Sequence, residues 1–329
     1  MIVDVHGHYT TAPAQLDAYR GNQLTNLNRP VKGSLKISDD EIHASLQGQL
    51  RQLENMGIDK VMYSPRAGGM GHEIGNELVS RYWTETCNDL IARVCSLYPD
   101  KFIPVCALPQ SPGISPANCA AELERCANMG FVGCNINPDV AGGGQPFTPR
   151  LGDPWWNPLW EKLVELDMPG MLHGTSTCDP ARHLNGSHYI MVDVMVVYEL
   201  CSSDIFDRYP TLKLIVPHGG GAAPFQWNRH RALQIGAKHS FEEAVKHLYF
   251  DTAIYDGDSF EMLIRKMGVD NVLFATEMFG TAQTVDPHTG QRFDEVGVDF
   301  VKQISWLSDE DRTKIFEGNA RKVFSRAKF

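Results

Sequence analysis

The stretch IVDVHGH, residues 2–8, is a short apolar run that ends in two histidines separated by a glycine. Three later runs share this pattern, because each is apolar and strand-like and ends in an ionisable side chain. They are PGMLHG at 169–174, LKLIVPHGGG at 212–221 and VLFATEM at 272–278. The ionisable residues at the ends of the four runs are His6, His8, His173, His218 and Glu277, and glycine or polar loop residues follow them.

These runs belong to a longer series of predicted strands. Most members of the series are rich in Val, Ile or Phe and apolar on both faces, which is typical of parallel strands covered by helices. The eight strand candidates are Ile2–His8, Lys60–Pro65, Phe102–Pro109, Val132–Pro138, Pro169–His173, Leu212–His218, Leu248–Ile254 and Val272–Met278.

Amphipathic stretches between the runs predict helices. They are Asp40–Met56, Glu73–Tyr98, Ser115–Met129, Pro158–Leu166, Val192–Tyr209, Phe260–Met267 and a closing segment, Ser308–Phe324. Alternating strands and helices imply a parallel sheet with right-handed crossovers, and eight repeats imply that the sheet closes. The sequence therefore predicts an α/β fold, a (β/α)8 TIM-type barrel, in one domain over residues 1–329.

A barrel of this kind places residues from distant parts of the chain on one face. The C-terminal ends of its strands meet there, so the five ionisable residues would converge. Two long, poorly periodic segments that follow strands, Thr10–Lys36 and Ala141–Trp156, are predicted to be loops that enclose the substrate on this face. Three imidazoles, one carboxylate and an open coordination position are typical of a catalytic zinc site.

Composition limits the classes of partner. The net charge of −10 argues against nucleic acid or an anionic membrane as the main partner. No apolar run reaches the roughly 18 residues that a membrane span needs, and the N-terminus MIVDVHGHYTT has no basic region of a signal peptide. The eight cysteines contain no CxxC pair, which favours reduced thiols in a cytoplasmic protein.

The order of the site residues also carries a resemblance to a known family. HGH, LH, HGGG and a strand-end carboxylate follow one another over nearly the whole chain. The chain resembles the amidohydrolase superfamily, in the branch of metal-dependent decarboxylases and hydratases related to aminocarboxymuconate-semialdehyde decarboxylase. The supporting runs are SPRAGG at 64–69, FIPVCALPQ at 102–110, LGDPWWNPLWEKLVELDMP at 151–169, YPTLKLIVPHGGGAAPFQ at 209–226, LYFDTAIYD at 248–256 and GNARKVF at 318–324.

This resemblance implies a distorted, amidohydrolase-like barrel and an activity. Within the branch, the chain is most similar to the hydratases, which implies addition of water to the C=C bond of 4-oxalomesaconate. The product would be 4-carboxy-4-hydroxy-2-oxoadipate, in the degradation of protocatechuate or gallate. The alternative is a metal-dependent, nonoxidative decarboxylase of an aromatic or muconate-type acid, and a hydrolase of a lactone or amide ranks third.

Two details of the sequence refine that expectation. Most members of the superfamily have Asp at the end of strand eight, whereas Glu277 stands here and resembles the hydratases. Members with two metals need a modified Lys or a carboxylate at the end of strand four, where this chain has Asn135-Ile136-Asn137-Pro138. We therefore expect one divalent metal per chain, and zinc in particular.

The chemistry of hydration assigns roles to the site residues. Zinc lowers the pKa of a water that it binds to about 7, and an acid must protonate the neighbouring carbon. We expect His6, His8, His173 and Glu277 to bind the metal, with Glu277 also handling the proton of the water. His218 is expected to be the second acid or base, and metal ligation is its alternative role.

A small polycarboxylate substrate needs local cations in a chain of net charge −10. Arg66 is the leading candidate, because it follows strand two directly and a guanidinium can bind a carboxylate through two hydrogen bonds. Arg229, Asn185 and His188 are further candidates for substrate binding. We also expect a homo-oligomer, a dimer.

Overall fold

The computed structural model describes residues 1–179, 181 and 186–329, and at its centre lies one sheet of eight parallel strands. Each strand pairs with the next one along the chain. The strands are β1 Val3–His8, β2 Lys60–Ser64, β3 Phe102–Cys106, β4 Gly133–Ile136, β5 Gly170–Leu172, β6 Leu214–Val216, β7 Leu248–Asp251 and β8 Val272–Leu273.

Hydrogen bonds also connect the two ends of this sheet. The backbone N–H of Val5 donates to the carbonyl of Phe274 at 3.0 Å, and that of Glu277 donates to the carbonyl of His6 at 3.0 Å. The buried carboxylate of Asp4 accepts from the N–H groups of His6 and Thr276 at 2.9 and 3.2 Å, which ties β1 to the chain after β8. The predicted (β/α)8 barrel is confirmed.

All eight predicted strands are confirmed, but most end earlier than their apolar runs. After β3, the Asn88 side chain bonds both backbone groups of Ala107, at 2.9 and 3.1 Å. After β7 and β8, the Thr252 hydroxyl does the same with Ala275, at 2.8 and 3.0 Å. Side chains thus replace the backbone ladder at the face that carries the ionisable residues.

Helices of very different lengths connect the strands. The helices are α1 Ala14–Thr25, α2 Asp39–Met56, α3 Glu77–Leu97, α4 Ala120–Asn128, α5 Asn157–Leu166, α6 Ser187–Cys201, α7 Ile205–Arg208, α8 Trp227–Leu233, α9 Phe241–Ala244, α10 Gly257–Met267, α11 Gly297–Gln303, α12 Asp309–Thr313 and α13 Asn319–Val323. A π-helical turn, Lys314–Gly318, joins α12 to α13.

The predicted loop over Thr10–Lys36 was wrong in one respect, because it contains α1. The sequence of this helix lacks the apolar stripe that usually marks a helix, and only Gln23 is buried. No side chain caps its N-terminus either. The predicted helix Val192–Tyr209 is two helices, α6 and α7, and α6 begins earlier than predicted.

The strands are covered on both faces, so most of their side chains are buried. All six residues of β1 are buried, including its charged and imidazole side chains. No helix among the described residues is long and apolar enough to cross a membrane. All eight cysteines are free thiols, and only Cys178 is exposed.

Candidate metal centre

Four ionisable side chains meet at the C-terminal face of the barrel. His6 and His8 lie on β1, His173 follows β5 directly, and Glu277 lies four residues after the end of β8. One ligand atom from each of them lies within 4.8 Å of the others, and all four residues are buried. The convergence predicted from the sequence is therefore present.

The three imidazoles are oriented through their Nδ1 atoms. Nδ1 of His6 lies 2.7 Å from the buried carboxylate of Asp251, and Nδ1 of His8 lies 2.7 Å from the hydroxyl of Ser64. Nδ1 of His173 lies 2.6 Å from the carbonyl oxygen of the next residue. Because each of these partners can accept a hydrogen bond from Nδ1–H, the lone pair of every neutral ring is left on Nε2.

These Nε2 atoms face a common point. Those of His6 and His8 are 3.0 Å apart, and Nε2 of His173 is buried without a hydrogen-bond partner among the described residues. Two neutral rings that both donate through Nδ1 bring two lone pairs together at this distance, which is repulsive unless a cation lies between them. Oε1 of Glu277 lies 3.9 Å from Nε2 of His173 and adds a negative charge. This donor set fits a divalent metal ion.

Electrostatics favour the protonation states that metal ligands need at His8, His173 and Glu277; at His6, burial acts to lower the pKa, but the Asp251 and Glu277 carboxylates outweigh it and raise that pKa. Burial lowers the pKa of His8 well below its ordinary value and also lowers the pKa of His173. Burial acts to raise the pKa of Glu277, but His173 and His218 outweigh it and hold that pKa well below its usual range. Two neutral imidazoles thus lie beside an ionised carboxylate.

His218 lies next to this cluster rather than within it. Its ring centroid is 5.0 Å from that of His173, and its Nε2 lies 3.6 Å from Oε2 of Glu277. Its Nδ1 lies 2.8 Å from the carboxylate of Asp193, which is fully buried on α6. Burial lowers the pKa of His218, but Asp193 and Glu277 raise it well above the ordinary value. His218 therefore lies between two carboxylates, those of Asp193 and Glu277.

Several residues that orient the site were missed or underrated in the sequence. Asp251 bonds the ring of His6, and it ends β7 as the histidines end other runs. Asp193 could have been found, because it is one charged residue within the apolar stretch IMVDVMVV of α6. Ser64 and Tyr255 gave no such signal, and the Tyr255 hydroxyl lies 3.1 Å from Oε2 of Glu277.

The cluster opens into a cavity of about 350 Å³. His8, His173 and Glu277 line its floor, and Arg66 lies on its wall. The guanidinium of Arg66 makes no hydrogen bond or ion pair within the described part of the chain, so it can receive an anion. Among the described residues that were predicted to bind substrate, Arg66 is the one that lines this cavity.

Two other predicted substrate-binding residues lie elsewhere, and a third is not described. His188 is buried and lines a neighbouring cavity of about 370 Å³. Arg229 is exposed on α8, and its Nε donates to Gln226 at 3.2 Å. Asn185 lies outside the described residues.

The chain is similar to enzymes of known function along its whole length. It is 41% identical over 332 residues to 2-keto-4-carboxy-3-hexenedioate hydratase of Sphingobium sp. strain SYK-6, which covers 99% of this chain and 96% of the relative. The crystal structure of 4-oxalomesaconate hydratase from Rhodopseudomonas palustris superimposes with a TM-score of 0.90 at 40% identity, over 99% of this chain and 96% of that one.

A decarboxylase is a more distant relative. Gamma-resorcylate decarboxylase of Rhizobium sp. strain MTP-10005 is 27% identical over 259 residues, which is 72% of this chain and 74% of the relative. The family model described as amidohydrolase matches residues 3–326. A match over nearly the whole chain identifies the family, and this chain belongs to the amidohydrolase family.

Proposed function

We propose that this chain is a metal-dependent hydratase that adds water to the C=C bond of 4-oxalomesaconate and forms 4-carboxy-4-hydroxy-2-oxoadipate. The observation that carries this proposal is the full-length similarity to two hydratases, at 41% and 40% identity. The decarboxylase relative matches less of the chain at 27% identity.

His6, His8, His173 and Glu277 would hold one divalent metal ion. Zinc is the ion that we propose, because nitrogen and carboxylate ligands with one open position are the set that it takes in catalytic sites. When bound, zinc supplies Lewis acidity, which lowers the pKa of water towards about 7 and polarises a carbonyl oxygen. The hydrogen bonds of Asp251 and Ser64 to Nδ1 would fix the rings of His6 and His8 for this task.

Glu277 would accept a proton from the attacking water. Its Oε2 faces the Tyr255 hydroxyl at 3.1 Å and Nε2 of His218 at 3.6 Å, while Oε1 is directed towards His173. The carboxylate can therefore contribute one oxygen to the metal and use the other for the proton.

His218 would complete the addition on the neighbouring carbon. Hydration requires one proton to leave the water and one to reach the carbon next to the site of attack. The Asp193 carboxylate holds Nδ1 of His218, which leaves Nε2 directed at Oε2 of Glu277, 3.6 Å away. A proton passed from Glu277 to His218 would balance the reaction, so neither residue changes its charge over a full turnover.

Arg66 would bind a carboxylate of the substrate. Its free guanidinium lies on the wall of the cavity whose floor carries the metal ligands. A planar guanidinium can form two parallel hydrogen bonds with a carboxylate, and this fixes the substrate relative to Glu277. Substrate binding by His188, Arg229 and Asn185 stays a prediction.

We also propose that the chain forms a homodimer. Large apolar side chains are exposed on α6, where Met191 and Met195 are 52% and 59% exposed, and near α8, where Leu233 and Ile235 are 60% and 86% exposed. A second copy could cover such a patch. One domain over residues 1–329 and a cytoplasmic location stay predictions from the sequence.

Product analysis tests the function. The metal-replete protein is incubated separately with 4-oxalomesaconate and with 2,6-dihydroxybenzoate. We expect loss of the conjugated dienol absorbance with the first acid and no carbon dioxide from either. Release of carbon dioxide from either acid, without hydration of 4-oxalomesaconate, would refute the hydratase function and support a decarboxylase function instead.

A further inference from the structure

The turn that carries Glu277 has an unfavourable backbone conformation. Glu277 has φ +46° and Phe279 has φ +60°, although neither is a glycine. Such values are uncommon for residues with a Cβ atom and persist only where the surrounding structure enforces them. Gly280 shares the constraint, because a Cβ atom there would lie 2.7 Å from the carbonyl oxygen of Glu277.

A buried carboxylate from a later segment holds this turn. Asp294 is 1% exposed, and its Oδ2 accepts the backbone N–H of Phe279 at 2.8 Å. Arg292 donates to both oxygens of Asp294, at 2.9 and 2.6 Å, and Gln52 donates to Oδ1 at 3.3 Å. The guanidinium carbon of Arg292 also lies 4.2 Å from the centroid of the Phe279 ring. Phe279 is thus fixed by its backbone and by its side chain.

This arrangement has a direct consequence for the candidate metal centre. Phe279 is two residues from Glu277, and both line the cavity above the histidines. If the turn relaxed to negative φ values, the Glu277 side chain would leave its direction towards His173. A residue that prevents this relaxation would fix the direction of the Glu277 side chain without contacting the metal ligands itself.

We infer that Asp294 is a positioning residue that acts through the turn at Phe279 to aim the Glu277 carboxylate at the metal. The inference rests on the proposed role of Glu277 as a metal ligand. Asp294 itself contacts neither the histidines nor the cavity floor, and it reaches Glu277 through the backbone.

The test compares two buried carboxylates that have similar partners. Asp294→Asn keeps the size of the side chain but weakens its pairing with Arg292. Glu122→Gln is the matched control: Glu122 is 4% exposed, pairs with Arg125 at 2.7 Å and accepts from Asn88 at 2.7 Å, but it lies on α4, away from the site. Both variants should lose thermal stability in the metal-free state.

The readouts are zinc affinity, measured by competition with a chelator, and the visible spectrum of the cobalt(II)-substituted protein. We expect Asp294→Asn to weaken zinc binding by about 10-fold or more and to change the cobalt spectrum, because residues that orient ligands typically contribute 10–100-fold. Glu122→Gln should match the wild type in both readouts. Wild-type affinity and spectrum in Asp294→Asn would overturn the inference.

Two further arms keep the outcome clear. If Asp294→Asn does not fold, Arg292→Lys removes the paired hydrogen bonds to Asp294 but keeps the charge, and it should shift both readouts in the same direction. An unchanged Arg292→Lys protein would then overturn the inference.

The wild-type arm tests the proposed function separately: a wild-type protein that binds zinc without hydrating 4-oxalomesaconate refutes the hydratase and leaves the Asp294 comparison valid. A wild-type protein that binds no metal refutes both.

Discussion

Replacing Glu277 by Asp separates the reach of this carboxylate from its charge. The substitution should not disturb the backbone, because Asp tolerates the positive φ of this position better than Glu does. It retracts the carboxylate by about 1.5 Å, the length of one carbon–carbon bond. Oε2 now lies 3.1 Å from the Tyr255 hydroxyl, so the shorter side chain loses this hydrogen bond.

The expected loss follows from the role of a general base. A positioned base contributes about 10²–10⁴-fold to a proton transfer, and at about 1.36 kcal/mol per tenfold this equals roughly 2.7–5.4 kcal/mol of the barrier. Glu277→Asp should keep most of its metal, because Asp is also a metal ligand, but should lose kcat by a factor in this range. Glu277→Gln should be at least as slow, since its amide has no basic oxygen for the proton.

The assay measures metal content and hydration of 4-oxalomesaconate on the same preparations. Glu122→Asp provides the control, because it also removes one methylene from a buried carboxylate but lies on α4. It should hydrate at the wild-type rate. A Glu277→Gln protein with full metal and near-normal hydration would refute the assignment of Glu277 as the base.

Three further predictions concern substrate, metal and assembly. Arg66→Lys should fold and bind metal but lose about 30-fold in kcat/KM, or about 2 kcal/mol, because an ammonium cannot reproduce the planar pair of hydrogen bonds. Unchanged kinetics would refute substrate binding by Arg66. Removal of the metal by a chelator should abolish activity and leave the barrel largely folded by circular dichroism, and elemental analysis should find about one zinc per chain; full activity without metal would contradict the metal site. Sedimentation should give a dimer that Met195→Glu weakens, and a monomeric wild type would refute the assembly.

The sequence was sufficient for the architecture and for the four candidate ligands. Apolar runs that lead into His6, His8 and His173 are local signals, and a parallel barrel has only one face on which the C-terminal ends of its strands can meet. The strand ends were harder to predict, because Asn88 and Thr252 replace ladder hydrogen bonds with side-chain ones. Such contacts depend on which helices and strands become neighbours in space.

Residues that support the site were less visible. Asp294 binds the turn after β8 from a position 15 residues later in the chain, and Gln52 on α2 donates a hydrogen bond to Asp294. No local pattern marks such a carboxylate, because its role depends on a backbone conformation that the sequence does not display. Asp193 is different, since a single charge inside an apolar helix is visible in the sequence and requires a partner when buried.

The fate of water oxygen tests the central proposal most directly. The metal-replete protein is incubated with 4-oxalomesaconate in water enriched in ¹⁸O, and product and headspace gas are analysed by mass spectrometry. The hydratase function predicts 4-carboxy-4-hydroxy-2-oxoadipate with ¹⁸O in its new hydroxyl group and no carbon dioxide above the protein-free control. Carbon dioxide together with a product that has gained no water would contradict it.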